Sequence, residues 1–141
     1  MPGVARQRPI EAHNQRLNHV QRLGHHLLKK PTPREIKQLC DQIVREFKPE
    51  KIILFGSHAY GRPQWDSDVD LLIIMPFKGR PHRQAVNIRS RIGAPMALDL
   101  LVRTPQQISR RLAMGDSFIR EILERGKVVY EANHQGVDQQ S

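Results

Sequence analysis

The chain has 141 residues, 38% of them hydrophobic, and a formal net charge of +9. That length suits one domain around a single core; no apolar run approaches the length of a membrane span, and the N-terminus lacks the apolar stretch of a secretion signal. The single cysteine, Cys40, excludes an intramolecular disulfide and fits a reducing cytoplasm.

Residues 1–31 read as a basic N-terminal extension. Arg6, Arg8, Arg16, Arg22, Lys29 and Lys30 oppose only Glu11, so more than half of the net charge lies there. Leu17, Val20, Leu23, Leu27 and Leu28 recur at helical spacing and predict an amphipathic helix over residues 11–30. A basic arm of this kind binds nucleic acid or an acidic protein surface, or is an ordinary solvated face. It has no aromatic residue to stack on bases, so nucleic acid has little support as a partner. His13, His19, His25 and His26 have no cysteine or carboxylate companions and read as surface residues rather than metal ligands.

A domain over residues 32–131 follows. Thr32-Pro33-Arg34-Glu35 has the form of a capping box with proline at the first helical position. Behind it Ile36, Leu39, Cys40, Ile43, Val44 and Phe47 form one apolar stripe, which Pro49 ends. Cys40 on that stripe reads as a packing residue. Strands are predicted over residues 51–56, 69–75, 97–103 and 127–131. A helix with a basic outer face is expected over 81–91. Thr104-Pro105 offers a further N-cap, opening one or two helices over 106–113 and 116–125, with Gly126 as the C-cap. Residues 132–141 are a polar tail expected to be disordered. The continuous apolar runs 52–55 and 71–75 imply strands covered by helices, and hence an α/β sandwich with a small mixed β-sheet.

The chemistry concentrates between the first two strands. Gly56-Ser57 closes one apolar run, and after ten intervening residues Asp68-Val69-Asp70 opens the next. Glycine lets backbone approach a phosphate, and the Ser57 hydroxyl with the N–H groups after it can donate to phosphate oxygens. Strand alternation predicts that Asp68 and Asp70 project to one side, where paired carboxylates favour a hard cation such as Mg²⁺. Asp66, Asp68 and Asp70 also have the spacing of the first calcium-loop ligands. That reading fails, because the position needing glycine is Leu71 and the position needing glutamate is Phe77.

Gly-Ser, ten residues and Asp-x-Asp resemble the signature of the polymerase β-type nucleotidyltransferase superfamily, and the compact size resembles its minimal members. The family's third acidic residue has a counterpart in Asp99, the lone charge of the run Ala97-Leu98-Asp99-Leu100-Leu101-Val102. The likeness covers roughly residues 32–131. It implies the nucleotidyltransferase fold and transfer of a nucleoside monophosphate from a triphosphate, expected to be ATP, with release of pyrophosphate. It further implies two Mg²⁺ ions held by Asp68, Asp70 and Asp99, with Asp99 on the acceptor side, and Gly56 and Ser57 on the β- and γ-phosphates. The closest resemblance is to minimal nucleotidyltransferases paired with a HEPN-domain protein, antitoxins that adenylylate a tyrosine of a HEPN ribonuclease toxin. It implies a cytoplasmic hetero-oligomer of that kind. Two other readings stand beside it: a module that neutralises its partner by contact alone, and an aminoglycoside-type transferase, whose usual extra helical domain has no room in residues 132–141. Arg62 and Arg103 are candidates for neutralising triphosphate charge, though solvated arginines are the simpler reading. Trp65 either stacks on a base or partner or caps the core, and Tyr60 is either an acceptor or a packing residue.

Overall fold

In the computed structural model the described residues are 30–64 and 66–133. The helix expected over 11–30, the tail after residue 133 and Trp65 lie outside them. The elements run α1 (Pro33–Phe47), β1 (Lys51–Phe55), α2 (Ser57–Tyr60), β2 (Val69–Ile74), α3 (Pro81–Ile92), β3 (Leu98–Arg103), α4 (Pro105–Ala113), α5 (Ser117–Arg125) and β4 (Lys127–Glu131). Among these residues no helix is long and apolar enough to cross a membrane.

Local chemistry accounts for most boundaries. The Thr32 capping box forms in both directions: Thr32 N–H donates to Glu35 Oε1 at 2.7 Å, and Glu35 N–H donates to Thr32 Oγ1 at 3.1 Å. Thr104 repeats the device with Gln107 as the reciprocal partner. The Asp116 carboxylate caps α5 by accepting from the Ile119 N–H at 3.0 Å. Gly126 does end α5, but not by left-handed geometry: its φ is −69°. Glycine is needed there because a Cβ would stand 2.5 Å from both the Ile122 carbonyl oxygen and Ile53 Cγ2.

The four strands form one mixed sheet in the order β3-β2-β1-β4. β1 pairs antiparallel with β2 and with β4, whereas β2 and β3 are parallel. Alternation along the two central strands feeds a core on each face. Ile52, Leu54, Leu71 and Ile73 meet α1 residues Ile36, Leu39, Cys40 and Ile43 and α3 residues Ile88 and Ile92. On the other face Ile53, Phe55, Leu72 and Ile74 meet Ile108 of α4 and Ile119 and Ile122 of α5. Both faces of β1 and β2 are therefore dry, as their unbroken apolar runs require. Cys40 is buried in the first cluster, and burial pushes its thiol up to about 12, which fits packing rather than reactivity.

Candidate active site

The end of β1 turns sharply into α2, a four-residue helix that sequence periodicity does not reveal. Gly56 makes the turn with φ 75° and ψ −160°, a conformation essentially confined to glycine. Its carbonyl accepts from the Ala59 and Tyr60 N–H groups at 3.0 and 3.1 Å. Ser57 begins the helix, and its N–H and that of His58 have no intrahelical acceptor and are available to an anion. The turn is pressed against the next strand: a Cβ on Gly56 would overlap Asp70 Oδ2. Gly56 is thus required twice, for its dihedral angles and for the carboxylate beside it.

Register places the acids. Asp70 lies opposite Phe55 on one side and Asp99 on the other, so the side chains of Asp70 and Asp99 project from the same sheet face on adjacent parallel strands. This is the face of Leu72 and Ile74, covered further along by α4 and α5. The Asp70 carboxyl is pushed up to about 6 from an ordinary 3.8, first by burial, then by the charges of Asp99 and Asp68 and a hydrogen bond with Asp99, with His58 partly offsetting them.

Two sequence expectations need correction. Asp99, predicted to sit in an apolar environment, is exposed. β3 is the edge strand, and the helices over this face half-bury Leu101 but leave Asp99 open. The carboxylate that pays for burial is Asp70. Asp68, expected to alternate with Asp70 along a strand, precedes β2 and is exposed. Among the described residues no three His, Cys, Asp or Glu side chains form a ready-made ligand set. The expected cluster is an Asp70–Asp99 pair set side by side on adjacent strands, with Asp68 acting on it through its charge.

A residue that the motif alone does not single out ties the site together. His58, next to Ser57, donates from Nε2 to the Ser67 carbonyl at 3.2 Å and so braces the loop carrying Asp68 against α2. Its adjacency to Gly-Ser was the available signal. Tyr60 is 38% exposed under the Arg125 guanidinium, 5.0 Å from its ring centroid, which makes it a packing surface for α5. Arg103 ends β3, four residues beyond Asp99, and so stands apart from the turn that would hold a triphosphate.

Hard oxygen donors, mutual repulsion raised by burial and a glycine turn in contact with one of the acids fit a divalent cation and a polyphosphate. Residues 35–135 match the family model Polymerase beta, Nucleotidyltransferase, and the chain belongs to that family. Comparison with curated proteins finds no match. Similar solved structures include a Sulfolobus solfataricus protein described as a nucleotidyltransferase (23% identity, covering 55% of this chain and 70% of that chain, TM-score 0.45). A toxin-antitoxin with AMP-PNP is similar at 17% identity, covering 70% of this chain and 76% of that chain, TM-score 0.46. A mutant of the toxin-antitoxin MntA-HpeT gives 15%, 70%, 76% and 0.45. These are distant likenesses.

Proposed function

We propose that this nucleotidyltransferase moves AMP from ATP to a tyrosine hydroxyl of a HEPN-domain toxin and acts in the cytoplasm as its antitoxin. The observation that carries the transfer chemistry is the Asp70–Asp99 pair set against the Gly56 turn. The sequence resemblance to HEPN-partnered enzymes supports the acceptor.

Gly56 and Ser57 grip the β- and γ-phosphates and leave the α-phosphorus facing the carboxylates. Asp68, Asp70 and Asp99 would hold Mg²⁺, which supplies charge neutralisation for the attacking and leaving oxygens. Asp99, exposed on the edge strand, is open to an incoming hydroxyl and accepts its proton. The tyrosine oxygen forms a bond to the α-phosphorus while the bond to pyrophosphate breaks. Asp70, half-buried between Phe55 and Asp99, fixes the geometry of the pair.

The test is incubation of the purified protein with ATP labelled at the α-phosphate, Mg²⁺ and the product of the adjacent gene. Covalent label on that protein, lost when its acceptor tyrosine becomes phenylalanine, is the expected result. Neutralisation of the toxin without label, undiminished in Asp70→Asn, would refute the catalytic reading.

A further inference from the structure

A second charged site lies at the opposite end of β3. A cavity of about 170 Å³ is lined by Pro81, Arg103, Gln107, Arg110, Arg111 and Met114. Arg103 arrives from the strand and the other two guanidiniums from α4, immediately after the Thr104 capping box. That box also orients Gln107: its Oε1 accepts from the Thr104 N–H at 2.9 Å, which leaves the amide NH₂ as the donor end.

Two of the three arginines are not compensated by a carboxylate among the described residues. Arg111 pairs with Asp116 at 3.3 Å, but among the described residues no carboxylate stands within ion-pair distance of Arg103 or Arg110. Arg103 spends one N–H on the Val102 carbonyl at 2.7 Å. Burial, and then the Arg111 charge, lower its pKa, with Asp116 opposing them. Arg103 alone of the three is half-buried, while Arg110 and Arg111 are exposed, and all three line the one cavity. The half-buried Arg103 charge without a carboxylate partner is costly, and an anion in the cavity would relieve it.

We propose that Arg103, Arg110 and Arg111, with the Gln107 amide, form a binding site for a phosphate monoester dianion, separate from the acidic centre. Three guanidiniums against one carboxylate leave two positive charges, the charge of a phosphate monoester above its second pKa of roughly 6. A carboxylate would match only one of them. Planar guanidinium forks suit the three terminal oxygens, and the cavity volume suits one such group. Arg103 and Asp99 alternate onto the same face of β3, roughly 13 Å apart by strand rise. The site therefore serves a different group from the triphosphate held at Gly56. Its ligand is either free phosphate or the terminal phosphate of a nucleotide chain.

The test is titration of the full chain with inorganic phosphate in EDTA, which keeps metal-bridged phosphate off the acidic centre, followed by NMR of the arginine Nε–H signals. Saturable shifts confined to Arg103, Arg110 and Arg111 are expected. Affinity should fall roughly tenfold or more in Arg103→Gln/Arg110→Gln, as loss of charge-assisted hydrogen bonds implies. Arg110→Gln alone, at an exposed position, gives the same direction if the double variant folds poorly. Arg34→Gln/Arg91→Gln removes equal charge elsewhere and should leave binding unchanged. Tighter binding of a 5′-phosphorylated dinucleotide than of its 5′-hydroxyl twin would identify a terminal phosphate as the ligand; phosphate binding with no such difference would identify free phosphate. Absence of saturation, equal weakening in the control variant, or acetate binding as tightly as phosphate would overturn the proposal.

Discussion

Replacing Gly56 with alanine separates the two demands made on that residue. At φ 75° and ψ −160° any L side chain is strained by about 1–3 kcal/mol. The new Cβ would also overlap Asp70 Oδ2 and lie 3.1 Å from its Cγ, so the carboxylate must swing away from the turn. Gly61 is the internal control. Its φ is 83°, but a Cβ there meets nothing within 4 Å, and Gly61→Ala should cost only about 1–2 kcal/mol of left-handed strain. Urea unfolding should show Gly56→Ala to be the less stable variant. Single-turnover nucleotidyl transfer, measured where both variants are folded, should fall roughly 100-fold for Gly56→Ala, as displacement of a reacting group by about an ångström predicts, and stay near wild type for Gly61→Ala. Equal stability losses with transfer intact in both would show that the contact between Gly56 and Asp70 positions nothing.

Asp70 carries a pH signature in the metal-free protein. Its folded pKa, about 6, is raised above 3.8, so the folded state binds the proton more tightly than the unfolded chain; stability should decline as pH rises from about 4 to about 6 and remain lower above that window. The decline should be about 1 kcal/mol after allowing for solvent screening, and Asp70→Asn should abolish it while stabilising the apo fold at pH 7.5 in EDTA; an unchanged slope in urea unfolding against pH would refute the assignment. Asp99→Asn should retain ATP binding but lose transfer by roughly 10²–10⁴-fold, and normal transfer would leave Asp99 without a role in proton acceptance. ATP should raise the unfolding temperature strongly in Mg²⁺ and little in EDTA; equal shifts would count against a metal-dependent triphosphate site.

Features written in short stretches of chain were legible in the sequence alone. The capping box at Thr32 and the N-cap at Thr104 depend on residues three positions apart, and both form as expected, Thr104 with Gln107 as an added reciprocal partner. The unbroken apolar runs of β1 and β2 announced strands covered by helices on at least one face, and the structure covers both. Gly56, Ser57, Asp68, Asp70 and Asp99 were each visible as members of a motif. Their convergence was implied by the family resemblance, but which carboxylates face each other was not visible. Pairing of Asp70 with Asp99 needs β2 and β3 to be parallel neighbours, a contact between strands separated by α3 that no local pattern encodes. Periodicity also misjudged burial: Asp99 lies in an apolar run yet is exposed, because its strand is the sheet edge, while Asp70 is hemmed in by strands on both sides. The same distinction governs Gly126, needed for crowding by Ile53 and not for its own φ, and the arginines that strand β3 and helix α4 gather into one cavity. Hydrogen bonds and side-chain alternation act over a few residues and can be read in order along the chain; desolvation and charge repulsion depend on which distant segments the sheet sets side by side.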